Sequence, residues 1–273
     1  MTNNFKIAYQ GSEGSYSEEL LKKEFSNYFF IACESFTELI NKARNENCFG
    51  LLPVENSIAG TVNEAYEELI SSGLEIFGEF IKKIDHTLIG LSSSKFEEIT
   101  HVISHPQALQ QCSNFLQDSK LRITPVFDTA GSVFEILETK DINTAAIAGG
   151  HFKNDKRFKI FKENISNHQE NFTRFLLIGN EKFESNKENN KYSSVLISDD
   201  KPGSLLKALN IFSDFNINLT KLESRPILGR PWEYKFYIDY ELQNIDTQIE
   251  LIDEIKKVSK EFIILGHYPK ASP

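Results

Sequence analysis

Asn171-Phe172-Thr173-Arg174-Phe175-Leu176-Leu177-Ile178 sets a hydroxyl and a guanidinium side by side at the mouth of an apolar run. Phe175 to Ile178 reads as a short buried strand. Thr173 and Arg174 then stand at its edge, where a cleft can open. A guanidinium there can fork onto a carboxylate. The threonine can hydrogen-bond or protonate a neighbouring oxygen. Taken alone, the pair more readily describes a strand-capping threonine and a surface arginine. Its meaning depends on the rest of the chain.

Upstream, strand and helix signals alternate. Phe5 to Tyr9 reads as a strand, Gly11 to Gly14 as a loop, and Ser15 or Ser17 as the cap of a helix reaching about Phe25. Phe29 to Ala32 is a second strand. Ser35-Phe36-Thr37-Glu38 is a capping box that opens the next helix. Phe49 to Val54 is a third strand, and a helix follows over about Asn63 to Ser72. This pattern predicts a largely parallel sheet with helices on both faces. Leu74 to Leu91 is a mixed stretch that carries the chain onward. A second alternating set includes strands at Thr100 to Ser104, Arg122 to Phe127 and Thr144 to Ala148. Two such sets in tandem suggest two lobes with a cleft between them. The Thr173 segment comes after the second set, so its return to the first lobe would make a hinge.

Downstream, Glu181 to Lys191 is polar apart from Phe183 and reads as a linker. Beyond it come a strand (Tyr192 to Ser198), a helix (Ser204 to Phe215), strands at Asn218 to Glu223 and Trp232 to Asp239, a helix (Ile245 to Lys260) and a last strand (Phe262 to Tyr268). That order is βαββαβ, the ferredoxin-like arrangement.

Composition narrows the function classes. The 273 residues suit about two domains. A net charge of −9 argues against a nucleic-acid backbone as partner, because such partners select clustered Lys and Arg. It leaves room for a small anionic substrate at a local site. Cys33, Cys48 and Cys112 are few, odd in number and without a CxxC, which suits reduced thiols. No apolar run has the length of a signal core or of a membrane-spanning helix, so the expected compartment is the cytoplasm. The histidines show no metal-site spacing. His101 and His105 are four apart, but Pro106 turns that segment away from a shared helical face.

Four further loops follow strands. Gly11-Ser12-Glu13-Gly14-Ser15-Tyr16-Ser17-Glu18 enters a helix, where backbone N–H groups and serines can hold an anion. Pro53-Val54-Glu55-Asn56-Ser57-Ile58-Ala59-Gly60 offers Asn56 and Ser57. Ser104-His105-Pro106-Gln107-Ala108-Leu109 places a proline in a first helical turn, with His105 as readily structural as functional. Asp128-Thr129-Ala130 caps another helix, and Thr129 could face the same cleft. In doubly wound sheets, ligands sit beyond the carboxyl ends of strands.

These segments together resemble prephenate dehydratase: GSEGSYSE, PVENSIAGTV, SHPQALQQC, DTA and NFTRFLLIG in order. KPGSLLKAL and LTKLESRP resemble the regulatory ACT domain of that family. The resemblance runs from about Phe5 to Pro269. It implies a two-lobed catalytic domain like the type II periplasmic binding proteins over residues 1–180. A linker would follow over 181–191, then an α+β ferredoxin-like ACT domain over 192–273. It implies conversion of prephenate to phenylpyruvate, water and carbon dioxide, without metal or organic cofactor. It also implies feedback by L-phenylalanine and a homodimer or homotetramer. Thr173 would be the catalytic hydroxyl, Arg174 a substrate-carboxylate binder and Phe175 a packing residue of the pocket. Asn56, Ser57, Ser15, Ser104, His105, Gln107 and Thr129 would complete the substrate site. Phenylalanine would meet Gly203, Ser204 and Leu205, then Asn218 and Leu219, and then Glu223, Ser224, Arg225 and Pro226. Gly131-Ser132-Val133-Phe134 stands after DTA where further small residues are usual, and Gly203-Ser204-Leu205-Leu206 stands where GALV is usual. No GxGxxG fingerprint precedes a helix, which disfavours a dehydrogenase.

Two other readings stay open at this level. A non-catalytic bilobed sensor would keep the cleft without turnover. An arogenate dehydratase shares every motif and differs only in the substrate's amino group.

Overall fold

The computed structural model describes residues 5–45, 47–180, 183 and 187–272. Met1 to Asn4 and part of the expected linker (residues 181, 182 and 184–186) lie outside the described residues. The chain divides into two compact units. One holds residues 1–71 and 80–176; the other holds 72–79 and 177–272. The second unit therefore recruits a short stretch that the sequence reading left with the first.

The first unit opens with β1 (Lys6–Gln10), α1 (Tyr16–Glu24), β2 (Phe29–Cys33), α2 (Phe36–Ala43), β3 (Cys48–Asn56), the short β4 (Gly60–Thr61) and α3 (Asn63–Ser72). β1 lies between β2 and β3, parallel to both. Local chemistry fixes the helix starts. The Ser15 hydroxyl accepts from Glu18 N at 3.3 Å, so Ser15 rather than Ser17 is the cap. Ser35 accepts from Glu38 N at 3.1 Å, and the Glu38 carboxylate returns to Glu34 N at 3.0 Å, one residue earlier than a strict capping box.

β5 (Glu75–Lys83) and β6 (His86–Leu91) follow. No strand is legible in sequence over Leu74 to Leu91. The reason is burial: every residue of β6 is buried, so its apolar run shows no alternation to read. Next come β7 (His101–Ser104), α4 (Pro106–Gln111), α5 (Ser113–Ser119), β8 (Arg122–Pro125), α6 (Gly131–Thr139), β9 (Thr144–Gly149), β10 (Phe158–Lys162) and β11 (Phe172–Gly179). The second lobe's sheet runs β10-β6-β9-β7-β8. β7 is parallel to β8 and β9, but β6 is antiparallel to β9 and β10, so this sheet is mixed rather than largely parallel. Leu88, Val102 and Ile147 pack toward α4 and α5 on one face. Ile89, Ile103 and Ala146 pack toward α6 on the other. β11 returns to the first lobe beside β3. The crossing segments are bonded to one another: Ile84 N donates to Asn171 O at 2.8 Å, and Ile165 N to His86 O at 3.1 Å.

The second unit holds β12 (Lys191–Ile197), α7 (Ser204–Asp214), β13 (Leu219–Ile227), β14 (Arg230–Glu241), α8 (Ile245–Val258) and β15 (Glu261–Tyr268). The sheet order is β13-β14-β12-β15, with these neighbours antiparallel, as a βαββαβ module requires. Both helices cover one face over Leu196, Phe212, Ile238, Leu251 and Phe262. Lys191 belongs to β12 and is buried, so the structured module begins one residue inside the expected linker. Glu223 to Pro226 lie within β13, an edge strand where a proline costs no ladder bond. A register shift follows between Pro226 and Ile227.

Gly266 on β15 pairs with Ile76 of β5. A Cβ on Gly266 would run into the Ile76 carbonyl oxygen and lie 2.9 Å from its nitrogen. Backbone atoms cannot swing aside as a side chain can. Gly266→Ala is expected to destabilise the protein by about 1–3 kcal/mol, the usual scale of overpacking. A denaturant titration followed by circular dichroism measures this.

Candidate active site

A cavity of about 900 Å³ opens in the first unit, at the carboxyl ends of strands from both lobes. The β1–α1 loop supplies Gly11, Gly14 and Ser15, and the end of β3 supplies Asn56. His105 and Gln107 come from the start of α4, Asp128 and Thr129 from the loop before α6, and Thr173 and Phe175 from β11.

Asn56 sets the chemistry of this cavity. Its Oδ1 accepts from the backbone N–H groups of Ile58 (3.1 Å) and Ala59 (2.9 Å). Those two donors leave no freedom to exchange the amide ends, so Nδ2 is the end that faces Thr173 Oγ1 at 3.0 Å. Thr173 therefore accepts from Asn56, and its own hydrogen takes no part in that bond. The same Nδ2 meets Asn171 Oδ1 at 2.7 Å and Phe172 O at 3.2 Å.

The expected site residues separate into groups. Thr173, Phe175, Asn56, Ser15, His105, Gln107 and Thr129 share the cavity wall. Ser15 and His105 also cap helices; His105 Nδ1 accepts from Gln107 N at 3.2 Å. Three other residues do not reach the cavity wall. Successive strand residues point to opposite faces, so Arg174 turns away from the side that Thr173 and Phe175 occupy. Its guanidinium lies 3.5 Å from the Glu55 carboxylate and 3.4 Å from the Tyr66 hydroxyl. Its expected role as a substrate fork thus finds it off the cavity wall, beside Glu55 and Tyr66. Ser57 accepts from Phe172 N at 2.9 Å and donates to Glu170 O at 3.2 Å, pinning the start of β11 rather than facing ligand. Ser104 is fully buried and donates to Ile147 O at 2.6 Å, joining β7 to β9.

The cavity wall also carries residues that the sequence reading did not select: Tyr16, His86 and Gln111. Gln111 stands one helical turn beyond Gln107 within the quoted SHPQALQQC segment, and that spacing was the signal available. His86 opens an apolar strand and carried none. Burial pushes the His86 imidazole below its ordinary value and the Tyr16 phenol well above its own. Among the described residues, no Lys or Arg lines the cavity. Of its carboxylates, Asp128 is occupied by Ser12 N (3.1 Å), Ala130 N (2.6 Å) and Gly131 N (2.9 Å), while Glu34 and Glu64 stand at exposed positions.

The prephenate dehydratase family model matches residues 7–183, and the ACT domain model matches 194–260. The chain belongs to the prephenate dehydratase family. It is 36% identical to "Prephenate dehydratase" of Methanocaldococcus jannaschii, covering 97% of this chain and 98% of that protein. It is 33% identical to "Arogenate dehydratase/prephenate dehydratase 1, chloroplastic" of Arabidopsis thaliana, over 97% of this chain and 72% of that one. Among solved structures, a prephenate dehydratase of Arthrobacter aurescens in complex with L-Phe superposes with a TM-score of 0.87 at 23% identity, over 97% and 90% of the two chains. A protein described as GqqA, a novel type of quorum quenching acylase, superposes with a TM-score of 0.86 at 26% identity, over 98% of each chain. The two-lobed, periplasmic-binding-protein-like unit with a ferredoxin-like ACT module is the architecture of this family member. Among the described residues, no helix is long and apolar enough to cross a membrane.

Within the ACT module, Gly203 adopts a left-handed conformation (φ +82°) at the start of α7. Ser204 is buried there, and Leu206 is exposed. β13 alternates, so Glu223 and Arg225 are half-buried and ion-paired on one face, while Ser224 and Pro226 are exposed on the other. Leu219 opens that strand at its far end, and Asn218 immediately precedes it.

Proposed function

We propose that this chain converts prephenate to phenylpyruvate, water and carbon dioxide in L-phenylalanine synthesis. The catalytic domain is residues 1–180, joined through 181–191 to a regulatory ACT domain over 192–273. The direction of the Asn56–Thr173 hydrogen bond carries the reading, because it leaves the Thr173 hydrogen for the substrate. The bond from the ring to its carboxylate breaks and its electron pair enters the ring. The carbon–oxygen bond to the ring hydroxyl then breaks, and the departing oxygen takes a proton from Thr173, which solvent replaces. Aromatisation drives the step. Thr173 is a weak acid, and the Asn56 donor on its oxygen increases its acidity. With no Lys or Arg among the described residues of the wall, the ring carboxylate is held by neutral donors and keeps its tendency to leave. Arg174 braces Glu55 and Tyr66 from the opposite face.

Glu34 and Glu64 on the same wall favour a second substrate with an ammonium group, arogenate. The deciding experiment supplies purified protein with each compound in turn. Phenylpyruvate from prephenate supports the first assignment, phenylalanine from arogenate the second, and neither from folded protein supports a ligand sensor.

For control, the effector residues sit at two ends of one strand. Leu219 registers with Tyr240, while Arg225 registers with Lys235, which also faces Ile197 just before α7. Asn218 and Arg225 are thus about 24 Å apart at about 3.4 Å per residue. A single module does not bring Asn218 and Leu219 to Gly203, Ser204 and Leu205. A second copy laid antiparallel along edge strand β13 does, so phenylalanine binds between modules of a homodimer or within a homotetramer. Calorimetry is expected to show phenylalanine binding below millimolar concentration; no heat at millimolar phenylalanine would remove this assignment. Binding changes activity only through unequal affinity for two states of the protein.

A further inference from the structure

We propose that His86 is a positioning residue: it carries its proton on Nε2 and, with Asn171, clamps the Gln111 amide so that the Gln111 Nε2 hydrogens face the cavity. Ile58 N and Ala59 N fix Asn56 Oδ1, so Asn56 Nδ2 must donate to Asn171 Oδ1 at 2.7 Å. That fixes Asn171, whose Nδ2 then donates to Gln111 Oε1 at 3.0 Å. Gln111 Oε1 is therefore the oxygen, and the nitrogen 2.8 Å from it, His86 Nε2, has to carry a hydrogen. Reversing any one amide would set two donors or two acceptors against each other at its own contacts.

The remaining ring nitrogen, Nδ1, lies 3.2 Å from the Tyr16 hydroxyl, which also lies 2.7 Å from Asp85 O. The hydroxyl can rotate to serve either. Asn171 is wholly buried and His86 is 3% exposed, so neither can exchange these partners for water. Gln111 lines the cavity with its oxygen doubly occupied, leaving its amide hydrogens for ligand. The row also spans the fold. Asn56 ends a strand of the first lobe, Gln111 ends α4 of the second, and His86 and Asn171 lie on the crossing segments. It thus sets the Gln111 donor and the Thr173 hydroxyl in one frame. Burial lowering the His86 imidazole agrees with a neutral ring.

The test has two arms. Long-range proton–nitrogen NMR of the 15N-histidine-labelled full chain reads the tautomer directly, and His86→Gln identifies its signals among the six histidines. A neutral ring with hydrogen on Nε2 is expected; hydrogen on Nδ1 alone would overturn the proposal. The second arm is kinetic and rests on the prephenate reading. His86→Leu is expected to lower kcat by about 10²-fold with little change in KM, as misplacement of a catalytic donor does. His86→Gln, which can still donate, should recover most of that loss. In a Gln111→Leu background His86→Leu should add nothing. An additive effect there, or unchanged kcat in His86→Leu, would show that His86 does not act through Gln111. The NMR arm needs no substrate, so failure of the substrate assignment and failure of the positioning role give different results.

Discussion

Thr173→Ala is expected to lower kcat by about 10²–10⁴-fold, the range of a general acid, in a protein that unfolds like the wild type. The two halves of this expectation have separate causes. In the proposed reaction the hydroxyl hydrogen, which the Asn56 bond does not use, is the proton delivered to the departing oxygen, so the alanine variant loses that delivery. The residue is only half-buried, and Asn56 Nδ2 keeps Asn171 Oδ1 and Phe172 O after the change, so no buried donor is stranded. Initial rates of phenylpyruvate formation, paired with a melting curve, measure both. Thr173→Ser keeps the oxygen and should keep most of the rate. Near-wild-type turnover in the alanine variant would assign the proton to another group.

The largest stability effect is expected in the second unit, from Lys191→Met. Lys191 Nζ lies 2.6 Å from Glu79 Oε1, with side-chain exposures of 9% and 2%. The other carboxylate oxygen accepts from Ala271 N at 2.9 Å. Methionine fills the volume but takes the ammonium away from the buried Glu79 charge. Breaking such a pair from one side costs about 3–5 kcal/mol. Replacing both partners by Met removes the charge as well and should restore most of that loss. Chemical denaturation of the wild type, the single variant and the double variant gives the comparison. A single variant within about 1 kcal/mol of the wild type would mean that water reaches Glu79.

The pair shows where sequence reading stops. Lys191 reads as the polar end of a linker, and Glu79 as one carboxylate in a stretch without clear period. Their contact joins residues 112 apart, and no local pattern announces it. Arg174 teaches the converse. Adjacency in sequence suggested that Thr173 and Arg174 act together, yet within a strand adjacency guarantees opposite faces. Ser57 and Ser104, quoted among the motif residues, are consumed by bonds to the backbone that hold strands in place.

What local order could show, the chain showed. Capping serines, the βαββαβ order, the strand-end loops and the family resemblance all rest on neighbouring residues, whose propensities and hydrogen bonds act over a few positions. The rest needed the folded chain. The antiparallel members of the second sheet, the recruitment of residues 72–79 into the carboxy-terminal unit and the row from Asn56 to His86 depend on contacts between segments far apart in sequence. A hydrogen bond has a direction only once both of its ends are placed, so the identity of the donor at Thr173 could come from tertiary structure alone.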